Sequence, residues 1–187
     1  AVDHERRMYR IQELYGCTGT PNTGVQWEPA HVAREIRRIE AEDPNLRGRK
    51  IYGVGDPAIW QSDGTESIGA LMERERVYFE RGDHNRIAGK MQVHHRLAFD
   101  GDGRPMLYVF TTCRHFIRTV PNLVYDETDV EDIDTDGEDH IYDELRYVCM
   151  KNPISPPAAA EPKVRPYSPL DTEADRQYDH YEFYRRY

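Results

Sequence analysis

Between Met8 and Met150, short apolar runs take turns with stretches of helical periodicity, and this alternation limits the fold more than any other feature of the chain. Strands and helices that alternate in sequence must cover each other's apolar faces, so the expected architecture is a layered α/β fold with a largely central sheet. "MYRIQELY" places Tyr9, Ile11 and Tyr15 on one face of a strand, with Glu13 on the same side. Glu13 reads either as an edge residue reaching solvent or as an auxiliary acid. "EPAHVAREIRRIEAED" sets Val32, Ala33, Ile36 and Ile39 on one helical stripe, with Pro29 suited to the first turn. A buried strand in "RKIYGVGDPAIW" stops at Asp56 and Pro57, because proline cannot donate to a sheet. A helix in "ESIGALMERER", a strand in "VYFERG", a helix in "DHNRIAGKMQVHHRLAF", a turn at "DGDGRP" and a strand in "MLYVF" follow. A last helix over about 138–150 buries Ile141, Leu145 and Val148.

After Met150 the aliphatic residues thin out and proline becomes dense, in "KNPISPPAAAEPKVRPYSP" and a Tyr- and Arg-rich end. Such a segment cannot bury enough apolar surface to offset its ordering entropy. The expected organisation is therefore one domain over 1–151 and an extended or disordered tail over 152–187. Only 38% of the 187 residues are hydrophobic, which fits a chain that packs in part. The net charge of −9 argues against a surface coated in basic patches for nucleic acid, but leaves room for a local basic groove. Three cysteines far apart, Cys17, Cys113 and Cys149, make neither a disulfide framework nor a thiolate zinc site. No apolar run approaches the roughly 20 residues that span a bilayer, and no signal-peptide pattern opens the chain. A reducing intracellular compartment is the expectation.

The residues suited to chemistry are acids. Asp56 stands at a strand end, where it either caps its own turn through an Asx hydrogen bond or faces a ligand, since ligands bind at strand ends in α/β sheets. The last helix opens in "GEDHIYDELRY". Glu138 and Asp139 suit the positive end of the helix dipole, and Asp139, one turn from Asp143, is also a candidate auxiliary acid. Asp143 lies past the first turn beside the buried stripe, where a carboxylate needs a partner. His140, Asp143 and Tyr147 are neighbours on the adjacent face. His94 and His95 point in different directions from one helix, as a surface and a packed histidine. Asp56 and Asp143 together suit a hard cation such as Mg²⁺ or Mn²⁺.

A strand ending "YGVGDPAIW", followed far downstream by "EDHIYDELRY" at a helix start, resembles the C-terminal nuclease domain of the large terminase subunit of tailed bacteriophages. The intervening "RIAGKMQVHHRLAF", "RPMLYVFTTCRHFIRTVPNLVYD" and "EDIDT" extend the resemblance over roughly residues 1–150. It implies an RNase H-like fold, a central mixed sheet flanked by helices, and a two-metal endonuclease using Mg²⁺ or Mn²⁺. The domain would cut concatemeric phage DNA during packaging in the cytoplasm of a bacterial host.

Position by position, the acid after the family's central strand falls on Asp56, the acid of its last helix on Asp143, and the histidine three residues earlier on His140. The acidic run before that helix has no family role and reads as a solvated loop. Arg34, Arg37, Arg38, Arg86 and Lys90 are candidates for phosphate contacts to double-stranded DNA, or else solvated helix faces. The full protein would also engage a terminase small subunit and a portal or procapsid. The family's first catalytic aspartate belongs to a strand expected before Ala1. Asp3 falls in the turn after it and does not take its role. No GxxxxGK[ST] loop for a packaging ATPase is present. The chain thus reads as a piece lacking the first strand and the ATPase, and for lack of that aspartate it is expected to bind Mn²⁺ weakly and to cut DNA slowly or not at all. Competing expectations are a non-catalytic assembly module docking on portal or capsid, and another RNase H-like nuclease such as a resolvase or transposase.

Overall fold

The computed structural model describes residues 1–20, 23–127, 131–135 and 137–155. The order of elements is β1 (Met8–Arg10), α1 (Pro29–Glu42), β2 (Gly53–Gly55), α2 (Ile68–Arg74), β3 (Phe79–Arg81), α3 (Arg86–Leu97), β4 (Leu107–Val109), α4 (Arg114–Thr119) and α5 (His140–Lys151). The molecule is thus mixed α/β. Among the described residues the strands form two separate two-stranded parallel pairs, β1 with β4 and β2 with β3, in place of the single central sheet expected from the alternation. Met8 is in register with Leu107, and Gly53 with Phe79. Parallel neighbours need a crossover, which α2 supplies between β2 and β3.

The first three helices start where their sequences provide a start. Pro29 opens α1, Ser67 caps α2 by accepting from the Ala70 N–H, and Asn85 caps α3 by accepting from the Ala88 N–H. Ala33 is fully buried, with Val32 and Ile36 beside it, and these residues meet Met72, Val77 and Phe79 in a small apolar cluster. A larger cluster joins Met8, Val93, Cys113, Phe116, Ile133, Ile141, Tyr142, Leu145 and Cys149. It includes the expected stripe of α5 and shows that α3, α4 and α5 share one core. Burial pushes the Cys149 thiol up to about 11.

The expected strand over 8–15 is cut short at Arg10, and Glu13 is the reason. Its carboxylate turns inward and accepts from the backbone N–H groups of His115 (2.6 Å) and Phe116 (3.2 Å). These are free donors of the first turn of α4, whose own preceding residue, Cys113, supplies no side-chain cap. The Glu13 side chain is only 6% exposed, so it is a buried helix cap brought from a distant segment and not a solvent-facing edge residue.

The acidic run before α5 also differs from a solvated loop. Ile133 is buried in the main core, Tyr125 and Ile133 form a β-bridge, and the Asp134 N–H bonds Val124 O at 3.0 Å. At the C-terminal end, Asn152 caps α5 and the Ile154 N–H bonds the Gln92 side chain at 2.8 Å, so the four residues 152–155 belong with the domain. The rest of the expected tail, 156–187, lies outside the described residues. Among the described residues no helix is long and apolar enough to cross a membrane.

Replacing Glu13 by alanine should cost about 1–2 kcal/mol, because the first turn of α4 loses its cap and two buried N–H groups are left unpaired. Urea unfolding followed by circular dichroism measures it; an unchanged midpoint would contradict the capping role.

Candidate functional site

Two of the acids singled out in the sequence, Asp56 and Asp143, contact consecutive residues of α5. Asp56 ends β2 and caps the short 3₁₀ turn Pro57–Trp60, accepting from the Ala58 N–H at 2.7 Å. Its second oxygen accepts from the Tyr147 hydroxyl, also at 2.7 Å. The two readings of Asp56 therefore hold together: it closes its own turn and it reaches a residue 91 positions downstream. Burial alone would raise this carboxyl, but the Ala58 and Tyr147 hydrogen bonds, with His84 and Arg146 nearby, hold it below the ordinary aspartate value. The Tyr147 hydroxyl shifts upward in turn, through burial and through its bond to Asp56. Glycine is needed opposite, since a Cβ at Gly82 would overlap the Tyr147 ring.

One residue before Tyr147, Arg146 is 2% exposed. Its guanidinium stacks on the Tyr147 ring at 4.6 Å and donates to Asp143 Oδ1 through Nε at 3.1 Å. Its stem runs along Gly89 of α3, where a Cβ would overlap it. Arg86, the first residue of α3, approaches the same Asp143 Oδ1 at 3.4 Å and pairs on its other side with Asp132. Burial alone would raise Asp132, but the hydrogen bond and charge of Arg86 hold it below the usual carboxylate range. Thus Asp56, Tyr147, Arg146, Asp143, Arg86 and Asp132 form one continuous chain of contacts.

Asp139 stands at the N-cap position of α5, yet its side chain makes no capping bond. It is 6% exposed, so it is not the solvated helix acid that its position suggests. Burial and the neighbouring Asp143 push its carboxyl up. His140 is exposed, with Nδ1 at 3.5 Å from Asp139 Oδ1, and so faces that acid and not Asp143. Tyr142 lies buried among Asp132, Arg146, Arg86 and Asp143; burial first, then the charges of Asp132 and Asp143, push it up to about 12 against the opposing arginines. Among the described residues neither the Tyr142 hydroxyl nor Arg146 Nη1 has a hydrogen-bond partner.

The basic candidates are engaged. Arg34 pairs with Glu75, Arg37 donates to the Glu75 carbonyl, and Arg38 pairs with Glu35 and Glu42, all on the exposed side of α1. The Lys90 ammonium donates to Glu131 O at 2.6 Å and sits over the Tyr125 ring, so it fastens the acidic loop. Arg86 does the same through Asp132. Of the two adjacent histidines, His94 is exposed and His95 half-buried.

Asp132 and Arg146 were not singled out in the sequence. A signal for the first existed: an isolated isoleucine inside an acidic run, as in "EDIDT", marks a point where the loop docks. Arg146 gave none, because a charged residue beside an apolar stripe usually reaches solvent. Among the described residues no three His, Cys, Asp or Glu side chains gather closely enough to hold one ion together.

Replacing Tyr147 by phenylalanine removes the hydroxyl from Asp56 and should raise the Asp56 carboxyl toward the ordinary value near 4. Because that carboxyl is held low in the folded chain, its contribution to stability is complete above the unfolded value and fades as pH falls through the folded one. The variant should therefore lose about 1 kcal/mol near neutral pH and show a shallower loss of stability on acidification. Carboxyl titration by NMR together with melting between pH 7 and pH 3 tests this; an unmoved Asp56 titration would contradict it.

No family model matches the chain, and no curated protein or solved structure is significantly similar to it.

Proposed function

We propose that this chain is a metal-dependent DNA endonuclease domain of the terminase kind, RNase H-like in fold, which cuts concatemeric phage DNA during packaging in a bacterial host. The observation that carries the reading is that Asp56 and Asp143, 87 residues apart in sequence, contact the consecutive α5 residues Tyr147 and Arg146. Acids supplied by a strand end and by the last helix are what a phosphodiester site of this kind requires.

The donor type, oxygen, suits Mg²⁺ or Mn²⁺, while among the described residues no three acids gather around one point. Asp56, Asp132, Asp139 and Asp143 offer only oxygen, and Arg86 and Arg146 leave an excess of negative charge among them when the carboxyls are ionised. Asp56 and Asp143 would hold the cation, and water would complete its shell, as Mg²⁺ prefers. When bound, such an ion supplies an activated water and stabilises charge on the leaving oxygen.

The chain's own residues do the remaining work. Ala58 and Tyr147 orient Asp56, and Arg146, locked against Gly89, orients Asp143. Arg34, Arg37 and Arg38 are held only by exposed contacts, which are weak in water, so phosphates of a double-stranded DNA can compete for them. In a full protein the same domain would work beside a terminase small subunit and a portal or procapsid.

A non-catalytic docking module on portal or capsid is the second reading. It is favoured by the exposed Tyr52 and Tyr78, which precede β2 and β3 in the same register. Mn²⁺ binding separates the two, because docking has no use for a carboxylate pair. Calorimetric titration of the chain with Mn²⁺ should show a weak site that Asp56→Ala and Asp143→Ala each abolish and Asp139→Ala changes little. Any cleavage of linear duplex plasmid in Mn²⁺, which should be slow at best, should be lost in the same two variants. Absence of any Mn²⁺ binding would favour docking, and cutting confined to branched junctions or end sequences would favour a resolvase or transposase.

A further inference from the structure

We propose that the outer face of the β2–β3 pair is a stacking platform for single-stranded DNA, with Tyr52 and Tyr78 as the rings that carry bases and Arg47, Arg49, Lys50 and Arg76 as the groups that meet its phosphates. The choice of DNA rests on the preceding reading of the chain as a DNA-cutting domain, but the platform shares no residue with the acidic site. The strand pairing builds it. Gly53 is in register with Phe79, whose ring packs inward with Ala33, Met72 and Val77 and fills the place where a Cβ of Gly53 would stand. Successive side chains of a strand point to opposite faces. Tyr52 and Tyr78, each one position earlier, therefore point outward side by side, at about the 4.8 Å spacing of neighbouring strands. At 69% and 65% they are the two most exposed large hydrophobic side chains among the described residues. Two such rings left in water next to each other mark a binding surface.

The charge around the rings selects the partner. The chain as a whole carries −9, yet residues 44–55 hold Arg47, Arg49 and Lys50 and no acid. The Lys50 ammonium already lies over the Tyr52 ring, at 4.9 Å from its centre. Arg76, exposed in the turn that leaves α2, precedes Tyr78 by two residues. Among the described residues none of these four cations pairs with a carboxylate; Arg49 donates only to the Asn45 carbonyl. Two neighbouring acids are already neutralised, Glu75 by Arg34 and Glu80 by Lys151. Unpaired cations beside exposed rings match a single strand, which offers phosphates and bare base faces together, whereas a duplex keeps its bases inside the stack.

The test is fluorescence anisotropy of the full chain with a labelled thymidine oligomer, oligo(dT), in EDTA, so that the acidic site has no bearing on the result. Oligo(dT) should bind, and the matching dA·dT duplex should bind about tenfold more weakly or worse. Tyr52→Ala and Tyr78→Ala should each weaken oligo(dT) binding about tenfold, the share of one stacked base. Tyr52→Phe and Tyr78→Phe keep the ring and should bind as the native chain does. Lys50→Gln should lower the slope of log affinity against log salt by roughly 0.7, the share of one phosphate contact on a single strand. Oligo(U) should bind no more tightly than oligo(dT). Melting curves establish that each variant is folded. An oligo(dT) affinity unchanged in the folded alanine variants, or a duplex bound as tightly as the single strand, overturns the platform. Tighter binding of oligo(U) overturns the choice of DNA. Absence of oligo(dT) binding at low salt overturns the proposal and returns the two tyrosines to protein docking, whereas absence of Mn²⁺ binding in a separate titration overturns the metal reading alone.

Discussion

The burial of Arg146 between α3 and α5 is the contact on which the rest of this molecule depends. A guanidinium removed from water must be paired, and Asp143 pairs it at 3.1 Å. That requirement fixes the face of α5: Asp143 and Tyr147 must follow Arg146 to the same side, while Ile141, Leu145 and Cys149 turn to the core. It also fixes α3, since the Arg146 stem occupies the space a side chain at position 89 would need. With the two helices set, Tyr147 reaches Asp56 and so ties the β2–β3 pair to the helical core. A charged residue thus specifies the geometry, and the apolar cluster supplies the stability around it.

The electrostatic contrast along this side of α5 comes from the separate partners of each acid. Asp56 and Asp132 are hydrogen-bonded and held low, so they are anionic over the whole neutral range. Asp139, buried one turn before Asp143 and without a strong donor, is pushed the other way. Carboxyls whose environments drive them apart are characteristic of functional sites, although ion-pair networks produce the same pattern. Here the residues form an ion-paired network, and only under the proposed reading would its oxygens also serve as ligands. The arginines pair these acids in the absence of a metal, and in the proposed reading they would compete with one.

Much of this was legible in the sequence, for reasons that can be stated. The helices α1 and α5 carry apolar stripes at helical spacing, and α3 a capping Asn85, so periodicity or local chemistry marks each of them. Asp56 and Asp143 stood out because each is an acid at the boundary of an apolar element. What was not legible depended on distant partners. The short helix α4 has no cap of its own, and the acid that caps it lies 102 residues earlier. β1 ends early for the same reason, because Glu13 serves α4 instead of continuing a strand. The docking of Asp132 depends on Arg86, 46 residues away, and an acidic loop read alone is indistinguishable from a solvated one. Pairing of the strands into two short parallel sheets is likewise a property of tertiary packing that strand patterns do not encode.

The central claim is that one cation site lies between the end of β2 and the first turns of α5. Paramagnetic broadening by substoichiometric Mn²⁺ in a backbone NMR spectrum tests it most directly. The account predicts that the amide signals of Asp56, Ala58, Asp139 and Asp143 broaden first and together, ahead of those around the exposed acids Glu35 and Glu42 of α1. Broadening that spreads evenly over the acidic surface, or that begins on α1 while Asp56 and Asp143 stay sharp, would contradict it.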